Sequence, residues 1–176
     1  IGLEDIGVDV DKGAITINEF NQTSIPNIYA IGDVTGPPWL AHVASAQGNI
    51  AAEHAAGKDT IPVDYSNIPG CTYCQPQVAS IGLTERMAKE KGHEIKIGKF
   101  NFIASGKAMA TGNTNGFVKL VFDNKYGELL GAHIIGSEAT EMIAELGMAK
   151  ALESTWYELA TTVHAHPTLS EAIMEA

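Results

Sequence analysis

The most informative segment of this sequence is Phe117-Val118-Lys119-Leu120-Val121-Phe122-Asp123-Asn124-Lys125-Tyr126-Gly127-Glu128-Leu129-Leu130-Gly131-Ala132-His133-Ile134-Ile135. Both of its ends are rich in aliphatic, aromatic and β-branched residues, which are typical of strands. Between them, residues 123–127 form a short stretch that ends in glycine, a common hairpin connection. The segment therefore predicts a β-hairpin with strands over residues 117–122 and 129–135.

The sequence on either side of this hairpin predicts more strands and helices. Residues 77–82 and 94–101 are predicted strands, and Ser137 is predicted to cap a long helix over 138–153, whose apolar residues recur at helical spacing. Residues 105–116 are rich in Gly, Asn and Thr and are predicted to form a surface loop. A β-rich block with inserted and appended helices indicates an α+β fold, in which helices accompany an antiparallel sheet, rather than βαβ repeats.

Two shorter helices are predicted from their first residues. Thr84 can cap a helix that ends at Gly92. The stretch from Thr155 to Glu158 is a capping box, in which each end residue can bond to the backbone of the other.

The first third of the chain carries weaker signals. Alternation in residues 14–17 predicts a strand, and the β-rich run 28–31 predicts a second strand that ends at Gly32-Asp33. A helix is then predicted over residues 39–56, closed by Gly57. A strand that ends in Gly-Asp before a helix is typical of a ligand crevice, although an ordinary strand-end turn has the same pattern.

A linker is predicted over residues 58–69, because Pro62 and Pro69 bound it. We place the domain boundary near Tyr65 and therefore expect two domains, residues 1–64 and residues 65–176.

The composition bounds the class of protein. Of the 176 residues, 45% are hydrophobic and 18% are charged, which is enough apolar sequence to bury a core. The net charge of −10 argues against nucleic acid and anionic membranes as partners. No apolar run has the length of a membrane-spanning helix. We expect a cytoplasmic protein.

The two cysteines, Cys71 and Cys74, do not form a secreted disulfide framework. A C-x-x-C pair can be a redox pair or half of a zinc site. Zinc needs further ligands, and the sequence has no second pair. We expect both cysteines to be reduced and without a chemical role.

Candidate chemistry is concentrated in Val163-His164-Ala165-His166-Pro167-Thr168-Leu169-Ser170-Glu171. Histidine changes charge near neutral pH and is therefore a natural proton carrier. A carboxylate on the far ring nitrogen would fix its tautomer and stabilise the imidazolium. His166 and Glu171 can form such a pair, and Pro167 restricts the backbone of His166.

Two other interpretations of this segment stay open. The stretch from Thr168 to Glu171 also fits a capping box at the start of a last helix, which is compatible with the acid/base pair. His164, His166 and Glu171 could instead bind a metal ion. Alternate residues of an extended chain point to opposite sides, so one shared ion would need a bent backbone.

The segment 164–171 resembles the C-terminal signature of the flavoprotein disulfide reductases, and especially of the dihydrolipoamide dehydrogenases among them. The resemblance implies that His166 is the acid/base of a thiol–disulfide step and that Glu171 orients it. We expect no metal ion at this segment.

A second resemblance lies near the N-terminus. The stretch Thr23-Ser24-Ile25-Pro26-Asn27-Ile28-Tyr29-Ala30-Ile31-Gly32-Asp33 is similar to the second flavin-binding motif of the same family. This similarity implies that Asp33 bonds a ribityl hydroxyl of FAD. It also implies that Trp39, Leu40, Ala41 and His42 border the flavin ring. Here Gln47-Gly48 stands where the family often carries Glu-Gly.

The resemblance further implies how this chain relates to a longer enzyme. It contains neither the G-x-G-x-x-G turn of a dinucleotide site nor the C-x-x-x-x-C of the family's redox disulfide. We therefore expect a C-terminal part of a dihydrolipoamide dehydrogenase, inactive alone, with a remnant of the FAD domain over residues 1–64 and the interface domain over residues 65–176. The parent would use FAD and NAD and form a homodimer, in which His166 and Glu171 serve the thiol–disulfide site of the other subunit. Its partner would be a lipoamide-bearing acyltransferase of a 2-oxo acid dehydrogenase complex or a glycine cleavage system. The alternatives are a non-catalytic dimerisation module and a reductase of the glutathione or mercuric type.

Overall fold

The computed structural model describes residues 2–176, which divide into two compact units. The first unit ends at Tyr65, and the second comprises Ser66–Ala176. Among the described residues, no helix is long and apolar enough to cross a membrane.

The first unit contains little regular structure besides one helix. Strand β1 (Val10–Asp11) pairs in antiparallel fashion with strand β2 (Ala14–Ile15). A 3-10 turn over Gly32–Thr35 precedes helix α1 (Ala41–Ala55), and Gly57 follows that helix in the left-handed conformation. The left-handed glycine closes the helix as predicted, because glycine adopts this conformation without a steric penalty.

The strand predicted over residues 28–31 is wrong. Only one isolated bridge, between Gln22 and Tyr29, forms there, although Ile31 has an extended backbone. The predicted strand 14–17 is also shorter than expected, since its ladder ends at Ile15. A β-rich run becomes a regular strand only beside a partner strand. Here the partner segment, residues 21–23, is long enough for one bridge but not for a ladder.

The second unit is built on a five-stranded antiparallel sheet. Its strands lie in the order β3-β4-β7-β6-β5, and every neighbouring pair is antiparallel. The predicted α+β fold is confirmed, and the predicted hairpin is the central β6–β7 pair. The strands are β3 (Gly70–Thr72), β4 (Gln77–Gly82), β5 (Ile95–Asn101), β6 (Phe117–Asp123) and β7 (Leu129–Gly136).

Helices cover this sheet and extend beyond it. Helix α4 packs on strands β4 and β7, and the core of the unit lies between them. Fully buried side chains of this core include Phe102, Leu120, Leu129, Ile134 and Leu146. The helices are α2 (Glu85–Glu90), α3 (Gly106–Thr111), α4 (Ala139–Ala151), α5 (Trp156–Thr161) and α6 (Glu171–Met174).

The surface loop predicted over residues 105–116 contains helix α3 instead. The hydroxyl of Ser105 caps this helix by accepting a hydrogen bond from the backbone N–H of Ala108, and Gly112 ends it in the left-handed conformation. Ala108 is fully buried, so packing of this one side chain offsets the poor helix propensity of the surrounding Gly and Thr residues.

Only some of the predicted helix caps are present in the structure. Thr84 caps α2, and Thr155 with Glu158 forms the predicted capping box at α5. Ser137 does not cap α4, because the residue before this helix is Glu138, which has a left-handed backbone with φ of 60°. The last helix begins at Glu171, whereas the predicted capping box with Thr168 as its first residue would have started it at Leu169.

Candidate functional site

The loop between α5 and α6 brings His166 and Glu171 together. The Nδ1 atom of His166 lies 2.8 Å from Oε1 of Glu171, within hydrogen-bond distance. The His166 side chain is 78% exposed, whereas that of Glu171 is 25% exposed. The imidazole therefore projects toward solvent while its carboxylate partner is held at the protein surface behind it.

Glu171 is fixed by a second hydrogen bond. The backbone N–H of Thr168 donates to Oε2 of Glu171 over 2.8 Å, as half of a capping box would. The Thr168 hydroxyl completes no box, because it donates to the Ala165 carbonyl. The Thr168 N–H and, secondly, the His166 imidazole lower the pKa of Glu171, since both bonds favour its ionised form.

This geometry sets the proton positions on His166. An ionised carboxylate only accepts hydrogen bonds, so the contact with Glu171 requires a proton on Nδ1. In the neutral ring, Nε2 is then the basic nitrogen. No other group in the described part of the chain bonds to Nε2, so this atom can take a proton from a molecule outside the chain.

A shallow cavity of about 220 Å³ lies beside the pair. Ser105 and Gly106, at the start of α3, form one wall, and Ala172 and Glu175 of the C-terminal segment form another. The misassigned segment 105–116 therefore contributes to the surroundings of His166, which the loop prediction did not suggest.

His164 is bonded to a carboxylate that sequence reasoning missed. Its Nε2 atom lies 2.7 Å from Oε1 of Glu145 on α4, and its Nδ1 atom lies 2.9 Å from the carbonyl oxygen of Thr162. One signal was available in the sequence. Glu145 lies between Met142 and Ala149 on the apolar stripe of its helix, and a carboxylate in that position needs a partner.

The two histidines do not converge on a common point. His164 bonds to Glu145 and His166 bonds to Glu171, and the described residues contain no group of three ligand side chains suited to a metal ion.

Cys71 and Cys74 lie on and just beyond strand β3, and both are free thiols. Burial and the negative charge of Glu141 raise the pKa of the Cys71 thiol, which reduces its thiolate fraction and hence its reactivity.

In the first unit, Asp33 lies exposed in the turn Gly32–Thr35. The buried side chain of Gln47 holds this turn, because its Oε1 atom accepts a 2.7 Å hydrogen bond from the Gly32 N–H. Gly32 has φ of 73°, and a Cβ placed there would lie 3.2 Å from that of Ala44. The turn thus packs closely on α1 and leaves the Asp33 carboxylate at the surface.

The residues predicted to border a flavin lie around the start of α1. Leu40 precedes the helix and provides no side-chain cap, while Ala41 and His42 form its first turn. Trp39 is 68% exposed. An uncapped helix start with a positive dipole end, next to an exposed aromatic ring, is compatible with a polar ligand that also has an apolar ring system.

Comparison with known families accounts for nearly the whole chain. Residues 68–176 match the dimerisation domain of the pyridine nucleotide-disulphide oxidoreductases, and residues 1–48 match the pyridine nucleotide-disulphide oxidoreductase model itself. The chain therefore belongs to the pyridine nucleotide-disulphide oxidoreductase family.

Similar proteins are longer than this chain. A dihydrolipoyl dehydrogenase of Zymomonas mobilis is 54% identical over 100% of this chain, which corresponds to 38% of that protein. The dihydrolipoyl dehydrogenase of Bacillus subtilis is 52% identical over 100% of this chain and 37% of its own length. The chain thus spans well under half the length of these relatives.

Solved structures share the fold. LpdA from Mycobacterium tuberculosis superimposes with a TM-score of 0.93 at 29% identity, over 99% of this chain and 38% of LpdA. The HOCl-induced flavoprotein disulfide reductase RclA from Escherichia coli gives a TM-score of 0.92 at 27% identity, over 98% of this chain and 40% of RclA.

Proposed function

We propose that this chain supplies the acid/base pair and the dimer contact of an FAD-dependent dihydrolipoamide dehydrogenase. Dihydrolipoyl dehydrogenase, the name of the relatives, is another name for this enzyme. The observation that carries the proposal is the 2.8 Å bond between His166 Nδ1 and Glu171, which leaves Nε2 as the basic nitrogen on an exposed ring.

The proton chemistry follows from this arrangement. The thiolate, not the thiol, is the nucleophile in thiol–disulfide exchange. His166 Nε2 would take the proton from a dihydrolipoamide thiol, and the resulting imidazolium would be stabilised by the Glu171 carboxylate. In the reverse direction the same nitrogen would return the proton to the leaving thiolate. The lowered pKa of Glu171 keeps it ionised throughout this cycle.

The first unit would hold part of FAD. Asp33 would accept a hydrogen bond from a ribityl hydroxyl, and Trp39, Leu40, Ala41 and His42 would border the flavin ring. The surface position of Asp33 and the uncapped start of α1 suit this role. When bound, FAD supplies two-electron transfer between a dithiol and NAD. In this proposal residues 1–64 belong to the FAD-binding domain and residues 65–176 form the interface domain.

A homodimer is part of the proposal. The second unit exposes a group of apolar side chains, which we call the α4–α5 patch, and which comprises Met148, Leu152, Trp156, Tyr157 and Val163. Exposed apolar groups of this kind mark association surfaces. A twofold axis would let one patch cover the same patch on a second chain. Light scattering should give about twice the 18.6 kDa mass of the chain, and a monomer at micromolar concentration would contradict the proposal.

The α4–α5 patch also supports a second candidate, a dimerisation module that takes no part in catalysis. The two candidates differ in what they require of His166, because a contact surface alone does not need a basic nitrogen.

For the catalytic candidate we further propose a lipoamide-bearing acyltransferase of a 2-oxo acid complex, or a glycine cleavage system, as partner. A cytoplasmic setting suits the two free cysteines.

A chimera tests the catalytic candidate. This chain would replace its matched segment in the Bacillus subtilis dihydrolipoyl dehydrogenase, and NAD-dependent oxidation of dihydrolipoamide would be assayed. We expect His166→Gln to lower kcat by about 10²- to 10⁴-fold, the usual contribution of general acid–base catalysis. Glu171→Gln should lower it less. The isolated chain should show no turnover.

His93→Gln provides the matched control, because it removes another histidine that faces a carboxylate, Asp123, at 3.6 Å. This control should keep full activity. If His166→Gln keeps kcat while the chimera stays dimeric, the dimerisation module is the better account.

A further inference from the structure

The loop that carries His166 is exposed and sparsely bonded. Residues 161–163 and 165–167 are all exposed, and Val163 is 95% exposed. At its upstream end Thr162 still bonds to Glu158 of α5, and at its downstream end Thr168 bonds to Glu171 of α6. Within the described residues, the five residues between these ends make no backbone–backbone hydrogen bond.

His164 is the exception in this loop. Its side chain is 6% exposed, and its 2.7 Å contact with Glu145 is the one side-chain bond of residues 163–167, in the described part of the chain, that reaches an element other than the two flanking helices. Glu145 lies on α4, the helix that packs on β4 and β7. The contact therefore links the exposed loop to the most firmly packed helix of the second unit.

The loop and α4 border a common cavity. This cavity of about 460 Å³ is lined by Met148 of α4, by Leu152 directly after that helix, and by Val163 and Ala165 of the loop. His164 and Glu145 also line this cavity, so their hydrogen bond lies at its wall.

Both ring nitrogens of His164 take part in hydrogen bonds. A backbone carbonyl only accepts, so the bond to Thr162 requires a proton on Nδ1 of His164. The Nε2–Oε1 contact to Glu145 needs a further proton between its two atoms. Both ring nitrogens are thus engaged, and His164 has no free basic nitrogen for chemistry, in contrast to His166.

We propose that His164 and Glu145 are positioning residues, which fix the loop to α4 and thereby set where His166 presents Nε2. This inference rests on the proposed acid/base function of His166. The two bonds act on opposite sides of His166, since His164 holds the chain two residues before it and Glu171 holds the ring from the residues after it. Removing the upstream bond leaves the pair with Glu171 intact but frees the loop relative to the sheet.

Three substitutions distinguish a positioning role of His164 and Glu145 from a general effect on the stability of the fold. His164→Gln can place an amide N–H near the former Nε2 and keep a bond to Glu145. His164→Asn places its amide near the former Nδ1, so it can reach Thr162 but not Glu145. Glu145→Gln keeps the shape and an accepting oxygen without the charge. His93→Gln is again the control.

Misplacement of a catalytic group by about 1 Å lowers the rate of an enzyme on the order of 100-fold. The chimera allows such a loss to be measured. We expect His164→Asn to lower kcat by about 10- to 100-fold with an unchanged KM for NAD. His164→Gln should recover most of the activity, and Glu145→Gln should fall between them. Equal kcat in the Gln and Asn variants, or a loss that follows the loss of folded protein, would overturn the proposal.

The chain itself provides a second readout, independent of turnover. In amide relaxation measurements, order parameters of Val163, Ala165 and His166 should fall from near ~0.85 toward ~0.6 in His164→Asn, while those of β6 and β7 stay unchanged. Unchanged order in the loop would also overturn the proposal. If His166→Gln leaves kcat unchanged, the acid/base function itself fails. If only the His164 and Glu145 variants are silent, that function stands and the positioning role fails.

Discussion

The two units of this chain are stabilised in different ways. The second unit has a five-stranded sheet with a continuous apolar core beneath α4. The first unit has a small apolar cluster around Val8, Ile15 and Ala30, and three buried polar residues, Asn21, Thr23 and Gln47. Apolar burial therefore dominates in one unit, while a few specific hydrogen bonds shape the other.

Gln47 illustrates the difference. Its side chain accepts a hydrogen bond from the Gly32 N–H and donates one to the Tyr65 hydroxyl over 2.8 Å. Its backbone carbonyl accepts a hydrogen bond from the Asn21 side chain over 3.3 Å. One residue thus connects α1 with the turn that carries Asp33. The core of the second unit is instead formed by contacts among many apolar side chains, Phe102, Leu120 and Leu146 among them.

The largest expected effect comes from the second unit's core. Leu146 is fully buried, so Leu146→Ala should lower the free energy of unfolding by about 2–5 kcal/mol through lost burial and the cavity left behind. Urea unfolding would be followed by Trp156 fluorescence in a Trp39→Phe background, which reports the second unit alone.

Leu152→Ala serves as the control at a concentration where both variants have the same oligomeric state. Leu152 is 70% exposed and its truncation should change stability little. Equal losses in the two variants would mean that the contrast between core and surface in this unit is wrong.

A smaller effect is expected from Gln47 in the first unit. Gln47→Leu leaves the Gly32 N–H and the Tyr65 hydroxyl without their partner, which should cost about 1–3 kcal/mol. Trp39 fluorescence in a Trp156→Phe background would measure it. Gln47→Glu keeps the acceptor for Gly32 and should cost less. A Leu variant as stable as the wild type would remove the basis for the comparison.

The smallest effect concerns a surface charge of the second unit. Hydrogen bonds from Lys119 and Lys89 lower the pKa of Glu85 from 4.5 to about 2. A lowered folded-state pKa stabilises the protein above the unfolded value, and this contribution disappears as the pH falls from about 4.5 to about 2.

Glu85→Gln should therefore reduce the slope of stability against pH in that window. The difference should shrink in high salt, because solvent screens exposed pairs. Parallel pH profiles for the wild type and the variant would contradict this assignment.

Much of the second unit could be predicted from sequence because its signals are local and mutually consistent. The hairpin turn at residues 123–127, the cap at Thr84 and the box from Thr155 to Glu158 need only neighbouring residues. Alternation then places the strands, and the antiparallel arrangement follows from short connections.

The incorrect predictions concern segments whose structure depends on residues that are distant in sequence. Residues 28–31 have the composition of a strand but lack a ladder. Residues 106–111 are helical, and their Ala108 is buried in a core that the local sequence does not show. At the candidate site, the pair of His166 and Glu171 could be proposed from spacing. The position of Glu145 on the apolar stripe of α4 indicates that it needs a partner, but no local pattern identifies His164, 19 positions away, as that partner.

The tautomer of His166 tests the central claim most directly. In the chain labelled with ¹⁵N at the ring nitrogens of its six histidines, the signals of His166 can be assigned by their loss in His166→Gln. We predict that neutral His166 carries its proton on Nδ1, bonded to Glu171, and that Glu171→Ala shifts the proton toward Nε2. A neutral His166 that carries its proton on Nε2 in the wild-type chain would contradict the claim, because the nitrogen facing the substrate could then not accept a thiol proton.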